Sequence, residues 1–306
     1  MSDPLHIVVM RGGPSAEREV SLRSGAAVAG ALRGLGHRVT ELDPRPGAWR
    51  LPADTGLVFL ALHGSYGEDG TIQAELEALG VPYTGCDAAA SRLAFDKVAT
   101  KQRCRAAGVP TPSHLVVRDP LAPWPAGWWP PVVVKPVRQG SSVGLRFVAA
   151  EADWPDALAA ALAHDAAALV EERILGRELT AGLLEDRALP LVEVRPRGGS
   201  YDYASKYTAG ATEYLCPAPL EEPAARRVQQ AALRAFAAVG GRDYARVDVM
   251  LDAAGDPWVL EVNTLPGMTE TSLLPKAAAA AGLPFPALCA RMAGLALRRA
   301  TPARSP

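Results

Sequence analysis

The 306-residue sequence is poor in cysteine, and its four cysteines are scattered at Cys86, Cys104, Cys216 and Cys289. None forms a C-x-x-C pair, and His6, His37, His63, His114 and His164 do not cluster with them. That spacing argues against a disulfide scaffold or a zinc site. It fits a reducing compartment, so the expected location is the cytoplasm. An excess of one charge is also missing: 32 Lys and Arg stand against 33 Asp and Glu, a net of −1. Balanced charge leaves no strong electrostatic footprint for nucleic acid or an anionic membrane. The expected partner is a small molecule, with no nucleic acid and no membrane. No apolar run reaches the ~18 residues a membrane helix needs, and the charge-free stretch before Lys135 is broken by prolines at positions 120, 123, 125, 130 and 131. The opening Met1-Ser2-Asp3-Pro4 has no basic region followed by a long apolar one, so no secretory signal is expected.

What is present reads as globular, with 49% hydrophobic and 21% charged residues. The length suggests about two domains of ~150 residues. Leu5 to Met10 is an apolar strand that stops at Arg11-Gly12-Gly13. A helix is expected over about Ala16 to Leu35, with Val20, Ala27, Val28, Ala31 and Leu35 at helical spacing. Short strands at Val39 to Leu42, Leu57 to Leu62 and Val81 to Tyr83, with a helix near Thr71 to Leu79, complete an alternating rhythm. Such alternation gives an α/β fold with a parallel sheet, and ligands sit beyond the carboxyl ends of its strands. From Ala88 to Ala107 the pattern is helical with a break near Phe95, and Asp119 to Pro131 reads as a surface connection. Strands near 132–135, 145–148 and 168–171 around a helix at 153–164 suggest a small α+β part, roughly residues 101–180. Beyond it lie strands at 179–184 and 189–194, a loop at 198–212, a helix at 221–239, a hairpin at 245–263, a helix over the alanines 277–281 and a last helix near 287–299.

The hairpin carries the strongest chemical signal. Tyr244-Ala-Arg-Val-Asp-Val-Met-Leu and Pro257-Trp-Val-Leu-Glu-Val-Asn alternate polar and apolar residues. Alternate residues of a strand share a face, so Arg246 with Asp248, and Glu261 with Asn263, lie on the polar side. A turn centred on Ala254-Gly255 sets Asp248 opposite Glu261 and Arg246 opposite Asn263. Opposed carboxylates repel. A divalent cation would resolve this, since hard oxygen donors suit Mg²⁺. Neutralisation by Arg246 on a wet sheet face would do so equally, and an odd-length loop would break the register.

A second signal is Lys135-Pro-Val-Arg-Gln-Gly-Ser-Ser-Val-Gly144, a strand running into a glycine-serine loop. Backbone N–H groups in such a loop curl around phosphate oxygens, and hydroxyls add donors. The lysine precedes the glycines, so this is not a Walker A loop. An ordinary flexible hairpin loop has the same composition. Gly140-Ser-Ser-Val-Gly144 also matches the hydrolase nucleophile elbow, but an elbow leads into a helix and the following segment reads as a strand. A third signal is Arg11-Gly-Gly-Pro-Ser-Ala-Glu-Arg-Glu-Val-Ser-Leu22, in which Ser15 is a candidate helix cap and Glu17 a candidate partner for a ligand ammonium. A normal helix start explains Ser15 equally well. Lys97 on a helix, and Glu171 and Glu178 at strand ends, have solvent exposure as their default. His63 closes an apolar strand and reads as a loop residue or a ligand. The aromatic, basic Tyr201-Asp-Tyr-Ala-Ser-Lys-Tyr207 reads as cover for a site.

Taken in order, these segments resemble one family. They are Gly12-Gly13 through Leu22, Ala61-Leu-His63-Gly64, Gly67-Glu-Asp-Gly70, Pro82-Tyr-Thr-Gly85, Asp96-Lys97, Lys135-Pro through Gly144, Tyr201-Asp-Tyr, Lys206-Tyr207, Arg246-Val-Asp248-Val and Glu261-Val-Asn263-Thr with Pro266-Gly267-Met268-Thr269. The set, spanning about residues 5 to 299, is similar to D-alanine:D-alanine ligase, an ATP-grasp enzyme. The resemblance implies three domains: residues 1–100, a parallel-sheet substrate domain; 101–180, the central α+β part; and 181–306, the C-terminal ATP-grasp domain with the metal site.

It also implies ATP and two Mg²⁺ ions (Mn²⁺ as a substitute), D-alanine as substrate and a homodimer. Lys97, Lys135 and Lys206 would lie by the phosphates under the Ser141-Ser142 loop, with Glu171 beside the adenine and Glu178 at the ribose. Asp248, Glu261 and Asn263 would hold metal. Arg246 and the Gly267 N–H would stabilise the oxyanion of a tetrahedral intermediate. Glu17 would bind the first ammonium, linked to Ser141 and Tyr207, with His63 and Ser272 at the substrates. Loop 198–212 would exclude water from the acyl phosphate. Arg11, Pro14 and Phe95 depart from the family pattern at the site edge. A D-alanine:D-lactate ligase and a nucleotide-binding protein without catalysis are the alternatives.

Overall fold

The computed structural model describes residues 4–197 and 211–300 of the chain. Among them three sheets carry the fold. The first is parallel, with β1 (His6–Met10) between β2 (Arg38–Leu42) and β3 (Leu57–Leu60). The α/β expectation for this part holds. Its fourth expected strand, Val81 to Tyr83, shrinks to a single bridge from Tyr83 to Val58.

Helix α1 (Arg18–Gly34) follows β1. Its buried face shares only Val28 with the stripe of Val20, Ala27, Val28, Ala31 and Leu35 read from the sequence. Ser21, Ser24, Gly25, Val28, Ala29 and Leu32 face inward, while Leu35 is 44% exposed. Small residues let the helix approach its neighbours closely, and the serines bring hydrogen bonds into that contact. Helices α2 (Thr71–Leu79), α3 (Ala88–Phe95) and α4 (Lys97–Ala106) come next. The expected break near Phe95 is at Asp96, whose carboxylate accepts the Ala99 N–H at 3.0 Å and caps α4.

The second sheet is antiparallel in the order β4 (His114–Val117), β7 (Ala168–Glu172), β5 (Val132–Pro136) and β6 (Arg146–Val148). Helix α5 (Trp154–Leu162) covers it, burying Trp154, Ala157, Leu158 and Ala161 against Val132 and Val134. Strand β4 has no counterpart in the sequence reading. The third sheet runs β11 (Thr212–Leu215), β10 (Val192–Pro196), β8 (Gly176–Leu184), β12 (Tyr244–Asp252) and β13 (Pro257–Asn263), with β9 (Arg187–Ala188) on β8. The second sheet ends at Glu172 and the third begins at Gly176, so residue 180 lies inside β8, as residue 100 lies inside α4. Helix α6 (Glu222–Ala238) packs on the third sheet through Val228, Ala232, Ala235 and Phe236.

The last two helices, α7 (Leu273–Ala280) and α8 (Phe285–Ala300), return to the first sheet. One core joins Ile7, Val28, Leu57 and Phe59 to Leu274, Leu288 and Met292. Among the described residues no single helix is long and apolar enough to cross a membrane. Because residues from both ends of the chain share this core, Leu288, fully buried, is a test of it. Leu288→Ala is expected to lower the unfolding free energy by about 2–5 kcal/mol. Chemical denaturation measures it, and a loss well under 1 kcal/mol would show that the two ends are stabilised separately.

Candidate active site

The hairpin reaches the expected pairing by an unexpected route. Arg246 pairs with Asn263 and Asp248 with Glu261. Yet the ladder nearer the turn is shifted by one residue, with Val249 opposite Val259 and Leu251 opposite Pro257. The turn is the tighter, odd-length one: Asp252 accepts N–H groups of Ala254 and Asp256 at 2.9 Å each, and the Trp258 indole at 2.9 Å. A bulge at Leu260 absorbs the odd residue and restores the register before Glu261. It also turns Leu260 onto the same side as Glu261, while Val259 and Val262 stay buried.

Arg246 forks onto Asp248, through Nε at 3.0 Å and a terminal nitrogen at 2.9 Å. Thr180 on β8 donates to the same carboxylate at 2.7 Å. Arg246 therefore neutralises Asp248 in this structure. Glu261 faces a different cation, the Lys97 ammonium at 3.4 Å. Lys97 is 8% exposed, contrary to its solvent-exposed default, and also donates to the Gln139 carbonyl at 2.5 Å.

Glu171 departs furthest from its sequence default. It is 2% exposed, with one carboxylate oxygen against Lys101 and the other 2.5 Å from Lys135. Burial works against its charged form, but Lys135 and Lys101 outweigh burial and bring its pKa down to about 2. Lys135 is raised above the ordinary lysine value: burial opposes this, and the charges of Glu171 and Glu261 prevail.

The amino-terminal sheet contributes the opposite wall. Gly12 and Gly13 have φ of +86° and +75°, which lets the chain turn sharply after β1. Ser15 does not cap α1, whose cap position is Glu17 with no side-chain bond. Ser15 instead donates to the His63 carbonyl at 2.6 Å and accepts the Glu17 N–H at 3.1 Å, joining two loops. The Ser141 hydroxyl donates to Glu17 Oε1, linking the first sheet to the loop after β5. Glu17 Oε2 is buried and accepts no hydrogen bond from the described residues. Gly140 leaves room for it: a Cβ there would lie 2.5 Å from that oxygen and push the Glu17 carboxylate aside. Ser141 and Ser142 both sit at positive φ, +53° and +57°, a conformation side chains rarely adopt and one that concentrates at functional loops.

His63 is 5% exposed and fixed on both ring nitrogens: Nδ1 lies 3.0 Å from the Leu265 carbonyl and Nε2 lies 3.2 Å from Ser24. A carbonyl only accepts, so Nδ1 carries the proton. Ser24 accepts the Met268 N–H at 3.2 Å, holding the turn that presents Gly267. Ser272 accepts the Thr269 N–H at 3.0 Å beside it.

Two cavities hold these groups. One, of about 540 Å³, is lined by Glu17, His63, Arg246, Asn263, Gly267 and Ser272. The other, of about 310 Å³, lies between the second and third sheets and is lined by Lys135, Ser142 and Glu171. Both share Lys97, Gln139, Gly140, Ser141, Glu178, Asp248 and Glu261, so these seven mark the junction. Lys206 and Tyr207, with the rest of 198–210, lie outside the described residues. Of the three departures from the family pattern, only Phe95 lines either cavity; Arg11 turns away to pair with Glu41 at 2.7 Å.

The sequence reading missed several groups. Glu68 lines the larger cavity, and burial raises its pKa; it had been quoted within Gly67-Glu-Asp-Gly70 but given no task. Phe147, Ile174, Met250 and Leu260 form an apolar wall of the smaller one. Met250 was legible, being two residues beyond Asp248 on the same face, whereas Leu260 needs the bulge. The segment after Gly144 enters β6, a strand, which removes the hydrolase-elbow reading.

The comparisons with known proteins follow the same lines. The family model for the D-ala D-ala ligase N-terminus matches residues 37–86, and that for the D-ala D-ala ligase C-terminus matches 127–293. D-alanine–D-alanine ligase of Methylacidiphilum infernorum is 47% identical, covering 94% of each chain. That of Syntrophotalea carbinolica is 48% identical over 96% of this chain and 97% of its own. The crystal structure of the Bacillus anthracis D-alanine–D-alanine ligase complexed with ATP superposes with a TM-score of 0.83 at 32% identity, covering 98% of this chain and 99% of that one. The fold is thus the ATP-grasp architecture, preceded by a parallel-sheet unit. The chain belongs to the D-alanine–D-alanine ligase family.

The paired Glu171 generates a pH dependence. Its folded pKa lies below the ordinary 4.5, so the stability it contributes is complete above that value and is lost as pH falls toward about 2. Unfolding free energies of the wild type and Glu171→Gln, measured at about pH 6 and about pH 3, should differ less at the lower pH. An equal gap at both values would remove Glu171 from the acid lability.

Proposed function

We propose that this chain joins two D-alanine molecules into D-alanyl-D-alanine, converting ATP to ADP and phosphate, for peptidoglycan precursors. The observation that carries the reading is the junction of the two cavities. There a space of about 540 Å³, in which no group among the described residues donates to the buried Glu17 Oε2, meets a lysine-lined space with an apolar wall.

Glu17 Oε2 takes the ammonium of the first D-alanine, a charge match that also satisfies a buried acceptor. Lys97 and Lys135 take the ATP phosphates, with backbone N–H groups and hydroxyls of Ser141 and Ser142 closing over them. Phe147, Ile174, Met250 and Leu260 clasp the adenine, beside Glu171, and Glu178 takes the ribose. The carboxylate of the first D-alanine attacks the γ-phosphorus, forming the acyl phosphate and releasing ADP. The amine of the second then attacks the acyl carbon, loses a proton and expels phosphate. Arg246 and the Gly267 N–H face the oxyanion that forms in that step. His63 and Ser272 hold the surrounding backbone and substrate groups in place. Lys206 and Tyr207 keep the tasks the family resemblance gives them, at the phosphates and over the site.

Asp248, Glu261 and Asn263 offer a hard-oxygen donor set for Mg²⁺ on one sheet face. Among the described residues no three His, Cys, Asp or Glu side chains form a metal cluster, and the third donor here is an amide. Bound Mg²⁺ would supply charge neutralisation for the phosphates. A division into three domains, a homodimer and a cytoplasmic setting complete the proposal; the four cysteines, all free thiols, fit that setting.

The deciding experiment is phosphate release with ATP, Mg²⁺ and D-alanine, L-alanine or D-lactate in parallel. D-alanine should drive release, with dipeptide as product. Preferential depsipeptide formation with D-lactate would make the chain an ester-forming ligase. No release with any of them would leave a nucleotide-binding protein. Glu261→Gln should lower kcat about 100-fold or more with an unchanged melting temperature. Near-normal turnover would remove Glu261 from the metal set.

A further inference from the structure

Lys101 has no part in the proposed chemistry, yet it is among the most buried large side chains, at 1% exposure. It sits one turn beyond Lys97 on α4. Lysines are almost never buried unless paired. Its partners are one oxygen of Glu171 and the Thr111 hydroxyl, at 2.7 Å. Thr111 in turn donates to the Val259 carbonyl at 2.8 Å, and Val259 N–H donates to the Pro110 carbonyl at 2.9 Å. Val259 adjoins the bulge that sets Glu261. Lys101 therefore touches the strand of the phosphate-side lysine through Glu171 and the strand of the metal-side acids through Thr111.

The charges of these three residues do not cancel: two ammonium groups share one carboxylate, and of the two only that of Lys135 lines a cavity. Burial pushes the Lys101 ammonium down, and the Glu171 carboxylate opposes that. Glu261 and Glu178 also act on Lys135. His114 packs on Glu171, opposite it across β4 and β7. Burial, with the charges of Lys101 and Arg105, pushes its imidazole down, so it adds no charge near neutral pH. Were Lys101 absent, Glu171 and Lys135 would form a closed pair, and the wall facing a polyanion would carry one positive charge fewer.

We propose that Lys101 is a positioning residue for ATP: by engaging one oxygen of Glu171 it sets the Lys135 ammonium and gives the phosphate side of the cleft one more positive charge than it would otherwise carry. This rests on the reading that ATP phosphates lie against Lys135. Burying a further cation costs desolvation energy, and that cost is justified where a polyanion must be drawn in.

Steady-state kinetics on five variants decide it. Lys135→Met tests the underlying reading and should raise KM for ATP; an unchanged value there would overturn the site assignment and this proposal together. Lys101→Met should raise KM for ATP about tenfold, equivalent to ~1.4 kcal/mol, and leave KM for D-alanine within about twofold. Glu171→Gln, itself beside the adenine, is the reference for the double variant: adding Lys101→Met to it should raise KM for ATP by less than about threefold, because no carboxylate is left for Lys101 to engage. A lysine acting independently of Glu171 predicts the same factor in both backgrounds. Lys101→Arg, which keeps the charge, should stay nearer to wild type than Lys101→Met. With Lys135→Met impaired, an unchanged KM for ATP in Lys101→Met, an equal rise for both substrates, or an equal factor in the two backgrounds would overturn the role of Lys101. If Lys101→Met does not fold alone, the comparison of Glu171→Gln with the double variant decides, and a rise of about tenfold there would overturn it.

Discussion

Carboxylates that face each other across a strand pair repel unless cations stand beside them, and this constraint organises the centre of the molecule. Asp248 and Glu261 are directly opposed. Each is met by a cation from a different place: Arg246 from the same strand, Lys97 from the start of α4. Glu171, on the neighbouring sheet, is met by Lys101 and Lys135. The acids are thus held in place before any ligand arrives. Moving either strand by one residue would turn its side chains to the other face and scatter these pairs. The bulge at Leu260 is therefore as much a part of the site as the acids it aligns.

The first sheet is tied to the other two units at the same place. Ser24 of α1 receives the Met268 N–H, His63 reaches the Leu265 carbonyl, and Ser141 donates to Glu17. The polar links lie at the cavity, while the apolar core shared by Val28, Leu57, Leu274 and Met292 lies behind it. Hydrophobic burial fixes the distance between the units and hydrogen bonds fix their orientation. The inward face of α1 serves both: Ser24 meets the turn that presents Gly267, Ser21 bonds Gly12 and Ala61, and Gly25 leaves room for the Arg11 side chain.

Much of this was legible in the sequence. The period-two alternation of β12 and β13 named the site face, since a strand's alternation survives most contexts. The pairing of Asp248 with Glu261 was also right, but through two cancelling errors, an even turn assumed where an odd one exists and a straight strand where a bulge exists. Residues whose environment comes from distant segments were read less well. Glu171 looked exposed because its partners, Lys101 and Lys135, lie 70 and 36 positions before it. Lys101 drew no attention, because a lysine in a helix is usually solvated. Leu260 could not be placed at all without the bulge, and the stripe of α1 was misread because its contact is made by small residues.

The junction of the two cavities limits where chemistry can occur. An acyl phosphate forms only where the first substrate's carboxylate and the terminal phosphate meet within bonding reach. Lys97, Ser141, Asp248 and Glu261 border both spaces, so that meeting point lies among them. Of these two cavities Glu17 lines the larger and not the smaller, and Lys135 the smaller and not the larger. In the proposed reaction Glu17 would hold the ammonium of the first substrate and Lys135 the phosphates of the other, leaving the carboxylate and the γ-phosphate to converge. An anchor held rigidly at each far end converts a bimolecular encounter into a positioned one. The two-cavity shape, more than any single residue, makes phosphoryl transfer to a carboxylate the chemistry this cleft is built to perform.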